Sequence, residues 1–267
     1  MKDTDELNII NQYTNDKLSI YKLAKIYNVH PSTIHNVLKK YDIARRSNSE
    51  NNALYVNHNY FDIINTEEKA YWLGFLFADG YISKDYVGLS LTLRDKKHIE
   101  KFKLAIDAKH VIGIYKGTGF GIGKEYARLI FKSKHMCNIL KEYRCCERKS
   151  LILKFPENIP KQYIRHFIRG YFDGDGSITV GPKDFNFKIC GTSEFLTTLI
   201  SIMNENLDFE YKQKLYKRHK DSKNTYGISF GGKYKSFAFI NWLYKDSTVF
   251  LERKYEKYLL LKQVSTT

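Results

Sequence analysis

The spacing of apolar residues divides the chain into a short helical region and a longer one that mixes helix and strand periods. In the first, Ile20, Leu23, Ala24 and Tyr27 fall on one helix face, with Ser19 ahead of them as an N-cap. Asn28 then stands where a tight turn calls for the left-handed conformation, which Asn tolerates better than most residues. Pro31 and Ser32 open a second helix whose apolar face carries Ile34, Val37, Leu38 and Tyr41. Residues 47–59 are rich in Asn and Ser, lack periodicity and predict a linker. Beyond residue 60 the period shortens. Val87–Leu93, Val111–Tyr115 and Arg128–Phe131 alternate as strands, and so do Asn186–Cys190, Tyr211–Tyr216 and Tyr226–Phe230. Helical stretches intervene at Lys96–Ile106 and Glu194–Asn206. The expected division is 1–46, 47–59, 60–158 and 159–267.

Composition narrows the partners. Of 267 residues, 43% are hydrophobic and 15% aromatic, enough for a real core. Lys and Arg total 44 against 29 acids, a formal charge of +15, which points to a polyanion such as nucleic acid or an acidic membrane surface. No apolar run approaches the roughly 18 residues of a membrane span. The N-terminal MKDTDELNII lacks the layout of a signal peptide. The expected location is therefore a bacterial or phage-type cytoplasm, or an organelle, and not the secretory route. Cys137, Cys145, Cys146 and Cys190 show no C-x-x-C spacing and read as free thiols in a reducing compartment. The histidines form no metal-ligand pair in sequence.

The two N-terminal helices resemble a helix-turn-helix. Small Ala24 lets them cross closely, and Val29 and Ile34 fill the angle. In that motif the second helix enters the major groove. Its outward residues are Ser32, Thr33, His35, Asn36 and Lys39; His35 and Asn36 suit base edges, and Lys39 suits phosphate. Arg45 and Arg46 follow, placed to track the DNA backbone or enter a minor groove.

The rest of the chain contains a diverged duplication. AYWLGFLFADGYIS at 70–83 aligns with FIRGYFDGDGSIT at 167–179. Each copy places small residues four apart, Gly74 and Ala78 in one, Gly170 and Gly174 in the other. That spacing clears a helix face and lets two backbones approach closely. Gly80 and Gly176 each follow an acid and suit a left-handed helix end. Two helices packed along these faces would bring Asp79 and Asp175 together at negative dipole ends. An oxygen-ligated divalent cation relieves such a pairing, with the last-turn carbonyls of Ala78 and Gly174 as added ligands. Each copy also ends alike, CERKS at 146–150 and LERKY at 251–255.

These paired motifs resemble the LAGLIDADG homing endonucleases in their single-chain, two-motif form, over about residues 60–267. The resemblance implies an α+β fold of two pseudosymmetric αββαββα halves with saddle-shaped antiparallel sheets, here preceded by a small helical domain. It implies Asp79 and Asp175 as catalytic metal ligands, and Mg2+ as the cofactor, with Mn2+ able to substitute. Lys149 and Lys254 correspond to the family's late lysines near the scissile phosphates. Phe77 stands where the second copy has Asp173, so Asp173 has no symmetric catalytic role. Arg94 and Thr192 are candidates for ordering the attacking water. The expected reaction is a staggered double-strand cut by a monomer acting as a pseudo-dimer, in a long site that is asymmetric because the halves differ.

Alternation turns Ser90, Thr92 and Arg94 toward DNA, opposite Leu89, Leu91 and Leu93. Asn186, Lys188 and Cys190 are their expected counterparts. Lys116 and Lys124 flank a glycine-rich hairpin loop, matched by basic Lys217 and Arg218. Two rival functions use the same scaffold: a non-cleaving DNA-binding regulator, and an RNA-binding intron maturase. A helix-turn-helix favours duplex DNA over RNA, whose deep, narrow major groove excludes a helix. An intein-embedded nuclease is disfavoured, since the chain starts with neither Cys nor Ser and ends VSTT.

Overall fold

The structure, a computed structural model, describes residues 3–47, 56–117, 122–147, 149–181, 185–212, 214–217 and 223–266. The chain divides into two units, Met1–Asn57 and His58–Thr267.

The first unit packs α1 (Asp3–Thr14), α2 (Ile20–Ile26) and α3 (Pro31–Lys40) around Ile9, Tyr13, Leu23, Ala24, Ile34, Val37 and Leu38. Ser19 caps α2 by accepting from the Lys22 N–H at 3.2 Å. Asn28 takes a φ of +49°, the left-handed turn that its position required. His30 serves as the N-cap of α3, its Nδ1 accepting from the Ser32 N–H at 3.3 Å. Helix α1 escapes a sequence reading because Ile9 and Tyr13 are its only buried residues, while Leu7 is exposed and Ile10 only partly covered.

The second unit contains the same run of elements twice. The first half is α4 (Glu67–Asp79), β1 (Gly80–Ser83), β2 (Tyr86–Thr92), α5 (Lys96–Ala105), β3 (Gly113–Lys116), β4 (Glu125–Lys132) and α6 (Lys134–Glu142). The second is α7 (Lys161–Asp175), β5 (Ser177–Val180), β6 (Phe185–Gly191), α8 (Ser193–Asn206), β7 (Tyr216–Lys217), β8 (Tyr226–Gly231) and α9 (Lys233–Tyr244), followed by α10 (Glu252–Thr266). Each half forms an antiparallel sheet of matching order, β1-β2-β4-β3 and β5-β6-β8-β7. This is the expected α+β arrangement of two αββαββα halves.

Strand alternation sorts the two faces of each sheet. Val87, Leu89 and Leu91 with Ala127, Leu129 and Phe131 are buried on one face of the first sheet. Phe187, Ile189, Ile228 and Phe230 do the same in the second. Three expectations change. Strands β1 and β5 follow the motif helices directly, where four residues behind a glycine were too short to register as a period. Among the described residues of the predicted strand Tyr211–Tyr216, only Tyr216 joins the sheet, paired to Gly227. Strand β2 ends at Thr92, and Leu93–Asp95 turn into a short 3-10 helix, so Arg94 does not continue the alternation.

Helices α4 and α7 form the seam between the halves. A Cβ at Gly74 would lie 1.9 Å from the Phe167 carbonyl oxygen, and one at Gly170 would lie 1.9 Å from the Tyr71 carbonyl oxygen. At Gly174 it would meet the Ala78 methyl at 2.2 Å. Each backbone is therefore seated on the other through the small residues. Around the seam Tyr71, Phe75, Phe77, Phe167, Tyr171 and Phe172 are buried, each contributing about 1.5–3 kcal/mol by leaving water.

Candidate active site

The seam runs out at two acids. Helix α4 ends at Asp79 and α7 at Asp175. The glycines behind them are not left-handed: Gly80 has φ −68° and ψ 142°, and Gly176 has φ −80° and ψ 161°. Clearance, not handedness, calls for glycine. A Cβ at Gly80 would stand 2.4 Å from the Leu76 carbonyl oxygen, and one at Gly176 would stand 2.2 Å from the Phe172 ring. The extended conformation sends the chain straight into β1 and β5 and leaves both acids at the helix ends.

The Asp79 carboxylate leans over the opposite helix, its Oδ2 only 3.2 Å from where a Gly174 Cβ would be. It reaches the surface, yet packed protein displaces much of its hydration. That loss, and then the neighbouring Asp175, raises the Asp79 pKa to about 6, against the pull of Lys254, Lys149 and Arg253. Ala78, Lys149, Tyr171, Asp175, Cys190 and Thr225 help to line a hollow of about 110 Å3 beside the acids.

Both late lysines reach this point by equivalent bonds. Lys149 Nζ donates to the Gly80 carbonyl at 2.5 Å, and Lys254 Nζ donates to the Gly176 carbonyl at 2.5 Å. Lys254 also donates to the Phe172 carbonyl. It is only 2% exposed, and burial lowers its pKa to about 8. Lys149 is half-buried on a 3-10 turn, Lys149–Leu151, whereas Lys254 belongs to α10.

Asp173 sits outside this pair. It is fully buried and accepts from the Tyr71 hydroxyl at 2.7 Å, the Leu251 N–H at 2.8 Å and the Tyr244 hydroxyl. Burial raises its pKa, while Lys254 and these donors oppose the rise. It thus ties both motif helices to α9 and to the segment leading into α10. Phe77, its counterpart, packs its ring edge-on against Phe167 at 5.0 Å.

Residues 162–238 match the family of LAGLIDADG-like domains, and the first half repeats their order of elements. The family match thus falls within the second half, across its motif helix and sheet. It is 27% identical over 218 residues to a probable translation initiation factor IF-2 of Methanocaldococcus jannaschii; the match covers 73% of this chain and 17% of that protein. Among solved structures it is similar to the LAGLIDADG meganuclease I-AabMI bound to uncleaved DNA, with a TM-score of 0.48, 13% identity and coverage of 73% of this chain and 89% of that one. It is also similar to the full-length DUF199/WhiA protein of Thermatoga maritima, with a TM-score of 0.47, 13% identity and coverage of 78% of this chain and 64% of that one.

Among the described residues, no group of three or more His, Cys, Asp or Glu gathers as a metal cage. A cation at the seam would rest on Asp79 and Asp175, with the carbonyls of Ala78 and Gly174 from the last helical turns. This all-oxygen set fits a hard divalent ion, and the mutual repulsion felt by Asp79 is what such an ion would relieve.

The open faces of the sheets carry Ser90, Asn186 and Lys188 as expected, and Lys188 is exposed. Thr92 closes β2 with its hydroxyl buried. The pairing across the halves differs from the expected one. Tyr81 pairs with Gly88 and Ser177 with Lys188, so Lys188 answers to Gly88, Asn186 to Tyr86 and Cys190 to Ser90. Arg94 is exposed beside Asp95, at 3.9 Å, and lies off the strand. Thr192 is buried as the N-cap of α8, accepting from the Phe195 N–H at 3.2 Å and donating to Leu153, so its hydroxyl is committed away from any attacking water. Lys116, Lys124 and Lys217 are exposed at strand ends, and Arg218 lies outside the described residues. The alternation in β4 could also have identified Arg128, which faces outward between buried Ala127 and Leu129.

In the first unit Ser32, His35, Asn36 and Lys39 are exposed along α3, Thr33 is half-buried, and Arg45 is exposed. Arg46 has a different task. Its guanidinium donates to the Tyr13 carbonyl at 3.0 Å and the Leu18 carbonyl at 2.5 Å, and lies 3.9 Å over the Tyr13 ring. These bonds secure the segment after α3 to the end of α1 and to the turn that follows it, which withdraws the Arg46 guanidinium from the expected DNA contacts.

Proposed function

We propose that this protein is a site-specific endonuclease of the LAGLIDADG type, one that makes a magnesium-dependent, staggered double-strand cut in duplex DNA. The carrying observation is the pair Asp79 and Asp175 at the ends of two helices seated backbone on backbone. Bound there, a divalent cation would neutralise charge on the scissile phosphate and activate water. The chain's own residues set up that chemistry. Lys149 and Lys254 hold the first carbonyls after the acids and keep positive charge beneath them. The sheet faces with Ser90, Asn186 and Lys188 lie along the duplex. The first unit adds a helix-turn-helix contact through Ser32, His35, Asn36 and Lys39, with Arg45 on the backbone. The partner is double-stranded DNA, bound by a single chain acting as a pseudo-dimer, and the unequal halves call for an asymmetric target. No helix is long and apolar enough to cross a membrane among the described residues.

The test is digestion of a randomised duplex library by the full chain, with and without Mg2+, followed by sequencing of the cut ends. One asymmetric site, cut on both strands only with the metal, is the expected result. Sequence-selective binding with no cut in Mg2+ or Mn2+ would replace the nuclease with a non-cleaving regulator. Preference for structured RNA over duplex DNA would replace it with a maturase-type binder.

A further inference from the structure

One outward row crosses the first sheet from β2 through β4 to β3. In it Ser90 opposes Arg128, and Arg128 opposes Gly113. Gly113 leaves a gap that the Tyr115 ring fills: a Cβ at Gly113 would be 2.7 Å from that ring. The Arg128 guanidinium stands 5.0 Å from the centre of the same ring, so the ring both steers the cation and limits its freedom. Arg128 is exposed and borders an open hollow of about 240 Å3, lined also by Tyr81, Leu89, Ser90 and Ile130.

The second sheet is built differently at the matching place. Gly88 pairs with Ile130 in the first sheet, and Lys188 pairs with Ser229 in the second. Two residues back along each strand, Arg128 therefore matches Gly227. Gly227 is covered by Tyr216, whose ring would lie 2.5 Å from an added Cβ. Here an aromatic ring lies over a glycine, and the row itself is Cys190, Gly227 and Tyr216.

We infer that Arg128 reads a base, selecting guanine at one position of the DNA along the first sheet, a task that Gly227 at the matching position of the second sheet has no side chain to perform. The inference rests on the proposal that the sheets face DNA. A guanidinium presents two parallel N–H donors, which fit the O6 and N7 acceptors of guanine in the major groove. A cation already oriented by an aromatic ring loses less freedom when it makes that contact. Tyr216 offers a ring and one hydroxyl, which do not make this two-donor match.

The experiment selects bound sequences from a randomised duplex library with the full chain in EDTA, so that cleavage plays no part. The wild type should enrich a site with guanine dominant at one position in one half. Arg128→Gln should lower that preference by about tenfold to a hundredfold and move it toward adenine, leaving the other positions unchanged. Tyr115→Leu should weaken the same position less. Retained guanine preference in Arg128→Gln would overturn the inference while leaving DNA recognition intact. So would a uniform loss of affinity with a shallower salt dependence, the mark of a phosphate contact. A wild type that enriches no sequence would overturn this inference and the DNA-reading function together.

Discussion

The two halves of the second unit agree where they touch each other and differ where each is packed on itself. At the seam the agreement is reciprocal: Gly74 sits on the Phe167 carbonyl and Gly170 on the Tyr71 carbonyl, at the same clearance. One turn later the halves part. The second carries Asp173 with three donors around it and a buried Lys254 on a helix. The first carries Phe77 in an aromatic contact and a half-buried Lys149 on a 3-10 turn. Both lysines still reach the same carbonyl position. The geometry at the acids is thus shared, while the scaffolds that hold it are different solutions.

The comparison can be broken in four places. The largest effect should come from Asp79→Asn and Asp175→Asn. Each alone should abolish double-strand cleavage and largely keep DNA binding, as read by digestion and gel shift. Normal cutting of both strands by either variant would remove that acid from a shared site. Next, Gly74→Ala and Gly170→Ala should each cost about 3 kcal/mol in urea unfolding, because the added methyl meets a carbonyl that cannot move without its helix. Clearly unequal losses would show that the seam is not reciprocal.

A smaller effect tests α5 against α8. His98 lies 4.6 Å from Phe75, centre to centre, just as Phe195 lies 4.4 Å from Tyr171. Burial lowers the His98 pKa from 6.5 to about 3. The unfolded chain therefore takes up this proton below pH 6.5 while the folded chain does not. The stability at stake is fully present above 6.5 and is lost as pH falls toward 3, by at most about 1.4 kcal/mol per pH unit. His98→Phe, which copies the second half, should flatten that part of the stability–pH curve; an unchanged slope would mean the ring is already protonated when folded. The smallest effect is Tyr244→Phe, which removes one donor from Asp173 and should cost about 1 kcal/mol in a thermal melt. No change would mean that water or a shifted Tyr71 replaces the hydroxyl.

What could be read from the sequence follows from these contacts. The paired acids, the small residues of the seam and the positive φ of Asn28 were legible because each depends on residue type at a fixed spacing. The conformation of Gly80 and Gly176 was not, because the same glycine serves either a left-handed turn or simple clearance, and only the position of Leu76 and Phe172 decides. Arg94 looked like a strand residue until Asp95, buried and held by Arg253 at 3.1 Å, marked the chain's turn away from the sheet. Arg46 looked free because its acceptors are carbonyls of Tyr13 and Leu18, which carry no signal in residue type. The offset between the sheets was hidden for a similar reason: hydrogen-bond register is set by the backbone.

The reciprocal seating of Gly74 and Gly170 also bears on how such a protein can change. Two copies fused in one chain are free to drift apart wherever each is served only by its own neighbours. Along this line they are not, since a side chain gained by one copy must be answered by a retreat of the other's backbone. A half transplanted from a different protein would be accepted or refused at this single step of the helix, before any of its DNA-facing residues mattered.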